Sequence, residues 1–138
     1  MAAPRTGSRR IRTRGTFVGV ARRLRQFNPA IKLISFQPDA PFHGLEGLKH
    51  MDSAIVPGIY DPTLADEDLR ANSERAHEMV RRLAREEGLL AGISSGAALA
   101  VMLDVAQKLV RGILVTIFPD GAEKYLTDKF WTAGDGDA

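Results

Sequence analysis

Gly92-Ile93-Ser94-Ser95-Gly96-Ala97-Ala98 follows the apolar run Leu89-Leu90-Ala91 and leads into an apolar helix. Small residues at a helix start leave backbone N–H groups open to a lone pair or an anion, and the helix dipole adds to their pull. Glycine lets a backbone come close to a ligand. Each serine hydroxyl can donate one hydrogen bond and accept others. The same residues also serve as a plain helix cap, because serine ahead of an apolar helix does that work.

Downstream, Ala97 to Val110 predicts a helix buried over most of its surface. Ala98, Val101, Met102, Val105 and Leu109 lie on one side, and Asp104, Gln107 and Lys108 are its few polar marks. Arg111-Gly112 breaks it. Ile113 to Phe118 predicts a strand with both faces covered. Pro119-Asp120-Gly121 is then a turn just past the C-terminal end of that strand, where open α/β sheets place ligands. Glu123 to Leu126 and Phe130-Trp131 predict a short helical tail.

Upstream, Ser73 is the expected cap of a helix with Glu74 in its first turn. Ala76, Met79, Val80, Leu83 and Ala84 form its apolar stripe, Gly88 ends it in the left-handed conformation, and His77 falls half-exposed on its side. Asp61 to Asn72 is a polar connection. Further back, Gly15-Thr16 opens a helix whose apolar face is Phe17, Val20, Ala21, Leu24 and Phe27, and Asn28-Pro29 stops it. Ile31 to Phe36 predicts a buried strand bounded by Pro38. Helices alternating with such strands predict an α/β fold with a mostly parallel sheet. Pro38 to Tyr60 is loop-rich, and its His43, Glu46 and His50 do not form a standard metal set.

A chain of 138 residues is one domain or part of one. It has no cysteine, so no disulfide frame or Cys-based metal site is available, and a cytoplasmic setting is expected. No apolar run approaches the roughly 18 residues of a membrane span, and no signal-peptide pattern opens the sequence. The net charge of +2 is uneven, since every charged residue before Asp39 is basic. Residues 1–14, MAAPRTGSRRIRTR, lack periodicity and are expected to be a disordered basic tail or the product of a shifted frame or wrong start. No aromatic stands among them to stack on bases, so no nucleic-acid partner is expected. Residues 132–138 are expected to fray.

Read with its flanks, from Glu86 to Ala98, the opening stretch closely resembles the cysteine synthases. These are the O-acetylserine or O-phosphoserine sulfhydrylases of the pyridoxal-phosphate fold-type II group. Arg14 to Asp39, Phe42 to Tyr60 and Val115 to Trp131 match in the same order. The resemblance covers residues 15–131 and only the C-terminal part of the family's catalytic domain.

It implies pyridoxal 5'-phosphate as cofactor, with Ser94 on the pyridine nitrogen and Asp120 and Gly121 shaping that edge of the pocket. A neutral hydroxyl there, unlike a carboxylate, does not hold the nitrogen protonated, which favours β-elimination. The family's phosphate loop is Gly-Thr-Gly-Gly-Thr. Thr13, Gly15 and Thr16 match it, while Arg12 and Arg14 stand where glycines are expected. Gly47 is implied to line the substrate pocket, and a cation at Lys49 suits a phosphorylated amino acid. The implied reaction is β-replacement, a transferase chemistry of cysteine biosynthesis in which an activated serine and sulfide give cysteine.

The family's Schiff-base lysine and substrate-carboxylate loop lie upstream of this stretch. None of Lys32, Lys49, Lys108, Lys124 and Lys129 is in that lysine's motif, so no catalytic residue is expected in this chain. Alone it is expected to be inactive. The alternatives are a fragment with cystathionine β-synthase-like chemistry, or a non-catalytic interaction module. The implied partners are a small amino-acid substrate, the missing N-terminal half or a second subunit, and a second copy in the full enzyme; no membrane is expected. A parallel sheet cut through its middle would expose apolar surface, so the chain is expected to be partly molten, to self-associate or to need a partner half.

Overall fold

Leu33 to Pro38 is buried without a break, which is the signature of a strand covered on both faces. The computed structural model describes residues 5–10, 14–39, 61 and 63–132. The elements run β1 (Arg5–Arg10), α1 (Arg14–Phe27), β2 (Lys32–Pro38), β3 (Glu67–Ala71), α2 (Ser73–Glu87), α3 (Ile93–Gln107) and β4 (Ile113–Val115), with a short 3-10 turn at Lys129–Trp131. The four strands form one sheet in the order β3-β2-β1-β4, with every pair parallel. This is the expected α/β architecture with flanking helices, and the sheet does not close.

Alternate residues of β2 feed two cores. Phe36 joins Ala76, Val80, Ala97 and Val101 beneath α2 and α3, while Leu33 meets Phe17 and Ala21 of α1 on the other face. Each large side chain buried this way contributes about 1.5–3 kcal/mol. The two helices on the first face approach very closely. A Cβ built on Gly96 would lie 2.2 Å from the carbonyl oxygen of Ala76 and 2.6 Å from Cγ2 of Val80. Arg75 and Asp104 clasp the same pair of helices from outside, with Nη2 to Oδ1 at 2.6 Å.

Several elements differ from the sequence reading. Residues 1–14 are expected to be disordered, yet Arg5–Arg10 forms a strand between β2 and β4. The slot requires backbone donors and acceptors on both sides, and any non-proline residue supplies them regardless of side chain. Asp61 to Asn72 holds a strand, β3, because an edge strand tolerates the charges of Glu67, Asp68 and Arg70. The cap of α2 is Asn72, not Ser73. Its backbone is still extended (φ −85°, ψ 136°), and its side chain accepts from the N–H of Arg75 at 3.1 Å. Gly88 ends α2 at φ 67°, as expected.

α3 begins at Ile93, so the serines lie inside its first turn and not ahead of it. The expected strand from Ile113 to Phe118 is paired only over Ile113–Val115, and its faces are not both covered. Ile113 is 53% exposed and Val115 57%.

Candidate functional site

Asp120 follows β4 and gathers the first turn of α3 around itself. Its carbonyl oxygen accepts from the N–H of Gly92 at 3.0 Å and from the Ser95 hydroxyl at 3.5 Å. Its carboxylate accepts from Ser94 Oγ at 3.2 Å and from the Tyr125 hydroxyl at 3.4 Å. Ala91 and Gly121 form an antiparallel bridge beside these contacts, closed by the Ala122 N–H donating to Leu90 at 3.3 Å. The start of α3 is thereby fixed to the turn past the C-terminal end of β4, where an open parallel sheet presents its ligand crevice.

Gly92 is required by this arrangement. A Cβ there would lie 2.4 Å from Oδ1 of Asp120, the same oxygen that accepts from Ser94. Gly92 is the backbone cap of α3 and offers no side chain to its amides, so the first turn of the helix keeps donors that no capping side chain consumes. Ser94 and Ser95 are both buried, at 1% and 0% exposure. A buried hydroxyl must keep a partner, and Asp120 supplies one to each.

The structure thus brings Ser94, Asp120 and Gly121 together. Gly15 and Thr16 lie in the first turn of α1, which begins at Arg14. α1 follows β1, the neighbour of β4, so both helix starts belong to the C-terminal end of the sheet. Thr13, Gly47 and Lys49 lie outside the described residues, as do His43, Glu46 and His50.

Sequence reasoning missed a polar cluster made by Ser35 and Gln37 of β2 with Asp68 of β3. Ser35 Oγ and Gln37 Nε2 donate to the two carboxylate oxygens of Asp68, each at 2.5 Å. Ser35 and Gln37 are buried on the face that carries Leu33. Their alternation with Ile34 and Phe36 was the available signal. His77 is half-buried, as expected, and stacks on Phe130 with ring centroids 4.7 Å apart.

A family model described as pyridoxal-phosphate dependent enzyme matches residues 11–120. Cysteine synthase of Aquifex aeolicus is 45% identical over 129 residues, covering 91% of this chain and 39% of the relative. The crystal structure of an O-ureido-L-serine synthase superposes with a TM-score of 0.83 at 29% identity, over 99% of this chain and 45% of its own. That of an O-acetylserine dependent cystathionine beta-synthase from Helicobacter pylori superposes with a TM-score of 0.83 at 32% identity, over 94% and 44%. The chain spans less than half the length of these relatives.

Proposed function

The chain belongs to the pyridoxal-phosphate dependent enzyme family, and from that premise we propose that it supplies the ring-nitrogen and phosphate walls of an enzyme that makes cysteine by β-replacement. When bound, the cofactor supplies an electron sink for the loss of the substrate's β-substituent and its replacement by sulfide. The donor set fits it. Ser94 offers a neutral hydroxyl, and the first turns of α1 and α3 offer backbone amides.

The observation that carries this reading is the tie of Ser94 to Asp120 at the start of α3. The hydroxyl of Ser94 has one proton, which serves either Asp120 or a ring nitrogen. Tyr125 donates to the other oxygen of Asp120, so the carboxylate keeps a partner when the Ser94 proton turns away. Asp120 and Gly121 shape the same edge. By the family resemblance Thr13, Gly15 and Thr16 are the phosphate-loop residues, and Arg12 and Arg14 would add positive charge but not the glycine geometry. Gly47 and Lys49 are assigned to the substrate pocket by the family resemblance alone. The lysine that holds the cofactor comes from the portion of the fold this chain does not span, so the chain positions and does not itself catalyse.

The Helicobacter pylori match favours a second reading, in which a thiol takes the place of sulfide. Both are tested by combining the chain with the lysine-bearing portion of the Aquifex aeolicus enzyme and pyridoxal phosphate. O-acetylserine or O-phosphoserine is then supplied with sulfide or homocysteine. Cysteine is the expected product, and Ser94→Ala is expected to lower kcat by at least about tenfold. Cystathionine alone would establish the second reading. No amino-acid product, in a complex that has formed, would exclude both.

A further inference from the structure

Tyr125 is buried in the core beside α3, yet its hydroxyl reaches the candidate site. It donates to Oδ2 of Asp120 at 3.4 Å, while Ser94 donates to Oδ1 at 3.2 Å. Hydrogen bonds between a hydroxyl and an oxygen usually measure about 2.5–3.0 Å, so both contacts are long. A short bond to either hydroxyl would lock the carboxylate onto it. Two long ones leave the carboxylate shared, and the loss of one donor strengthens its hold on the other.

The place of Tyr125 is fixed from several sides. Its N–H donates to the Ala122 carbonyl at 2.8 Å, and its own carbonyl accepts from the N–H of Asp128 at 3.0 Å and from Nε1 of Trp131 at 2.7 Å. Its ring edge lies against Gly92, where a Cβ would come within 3.1 Å of Cε2. Trp131 is anchored in turn through its neighbour Phe130, which stacks on His77 of α2 and whose carbonyl accepts from Arg81 at 2.7 Å. A phenylalanine ring would fill the same space in the core. What the tyrosine adds is a donor aimed at Asp120.

We propose that Tyr125 is a positioning residue for Ser94, acting through Asp120, and that Trp131 holds it in place for that work. While Tyr125 donates to Asp120, the carboxylate gives up the Ser94 proton readily and the serine turns it outward. Without the tyrosine hydroxyl, Asp120 keeps that proton. The outward direction matters because of the function proposed above, on which the inference rests. The turn from Tyr125 to Trp131 thereby belongs to the site, although none of its side chains lines the edge that Ser94 and Gly121 form.

The first measurement uses the full chain without cofactor. Urea unfolding is followed for Ser94→Ala, Tyr125→Phe and the double variant, each in the parent and in an Asp120→Ala background. Tyr125→Phe keeps the ring, and the fluorescence of Trp131, the single tryptophan, reports that the turn stays docked. The double variant is expected to raise the unfolding constant at least about threefold beyond the product of the single effects, and this excess is expected to vanish without Asp120. Independent effects, or an excess that survives Asp120→Ala, would overturn the proposal. The second measurement is cofactor affinity in the complex with the lysine-bearing portion of the Aquifex aeolicus enzyme. Tyr125→Phe is expected to bind pyridoxal phosphate at least about threefold more weakly than the parent, and adding Asp120→Ala is expected to recover at least about that factor. A tyrosine that served packing alone would show no such recovery, and its absence would overturn the proposal. A parent complex that forms but binds no pyridoxal phosphate would refute the proposed function, whereas the coupling in the free chain tests the sharing of Asp120 independently of it.

Discussion

The hydroxyl of Ser94 lies 3.2 Å from Oδ1 of Asp120, a residue 26 positions further along the chain. The contact exists because Gly92, two residues before the serine, leaves room for that carboxylate. A methyl group at Gly92 would meet Oδ1 at 2.4 Å and Tyr125 Cε2 at 3.1 Å. Gly92→Ala is therefore expected to push Asp120 off Ser94 and to destabilise by about 1–3 kcal/mol, the usual range for overpacking. Much of that loss should vanish in an Asp120→Ala background, where the oxygen is gone. Urea unfolding of the two single variants and the double variant gives the coupling, and simple additivity would show that the glycine does not act through Asp120.

Gly96 makes a harder demand, because what a methyl group would strike is backbone. The Ala76 carbonyl cannot withdraw from a Cβ at 2.2 Å without moving α2. Gly96→Ala should cost about 1–3 kcal/mol even after the gain in helix propensity. Gly19 in α1 provides the contrast, since a Cβ there meets nothing within 4 Å. Gly19→Ala should stabilise by about 0.5–1 kcal/mol. Thermal melts that shifted in the same direction for both variants would contradict the packing assigned to Gly96.

His77 predicts a pH dependence. Burial lowers its pKa below the usual histidine value; Arg81 adds to this, while Glu74 and Asp128 oppose it. The unfolded chain then binds the proton more readily than the folded one. Stability should be full above the unfolded pKa of about 6.5 and should fall as pH drops below it, until the folded-state pKa is passed. His77→Phe keeps a ring against Phe130 and removes the titration. Denaturant midpoints from pH 7 to pH 5 should fall for the parent and stay flatter for the variant.

The helices were legible because a 3.6-residue period survives wherever one face is buried. Phe17, Ala21 and Leu24 located α1, and Ala76, Val80 and Leu83 located α2. β2 was legible because both of its faces are covered. β3 was not, since Glu67-Asp68-Leu69-Arg70-Ala71 is an edge strand whose charges read as a loop. β1 was not, since a ladder needs only backbone groups, and its arginines carry no strand signal. Asn72 and Ser73 are both cap formers, and only the extended backbone leaving β3 decides between them. Ser94 and Asp120 were each visible as chemistry. That they meet, and that Gly92 permits it, depends on the turn after β4 folding back on α3, which no local pattern encodes.

Asp66 links α1 to the start of β3 and should set the acid limit of this joint. Burial raises its pKa. The N–H of Leu33 at 2.6 Å, the guanidinium of Arg25 at 2.6 Å and the charge of Lys32 together outweigh that, and the net shift is downward. A carboxylate with a lowered folded-state pKa stabilises fully above its unfolded value of about 3.9, and that support is lost as pH falls through the folded value. Asp66→Asn should lower stability at neutral pH. It should approach the parent only as pH falls through the lowered folded-state value, where the parent's carboxyl also becomes neutral. Guanidinium midpoints from pH 6 to pH 2.5 test this, and a constant offset between the two proteins across that range would show that the loss at Asp66 is one of packing and not of charge.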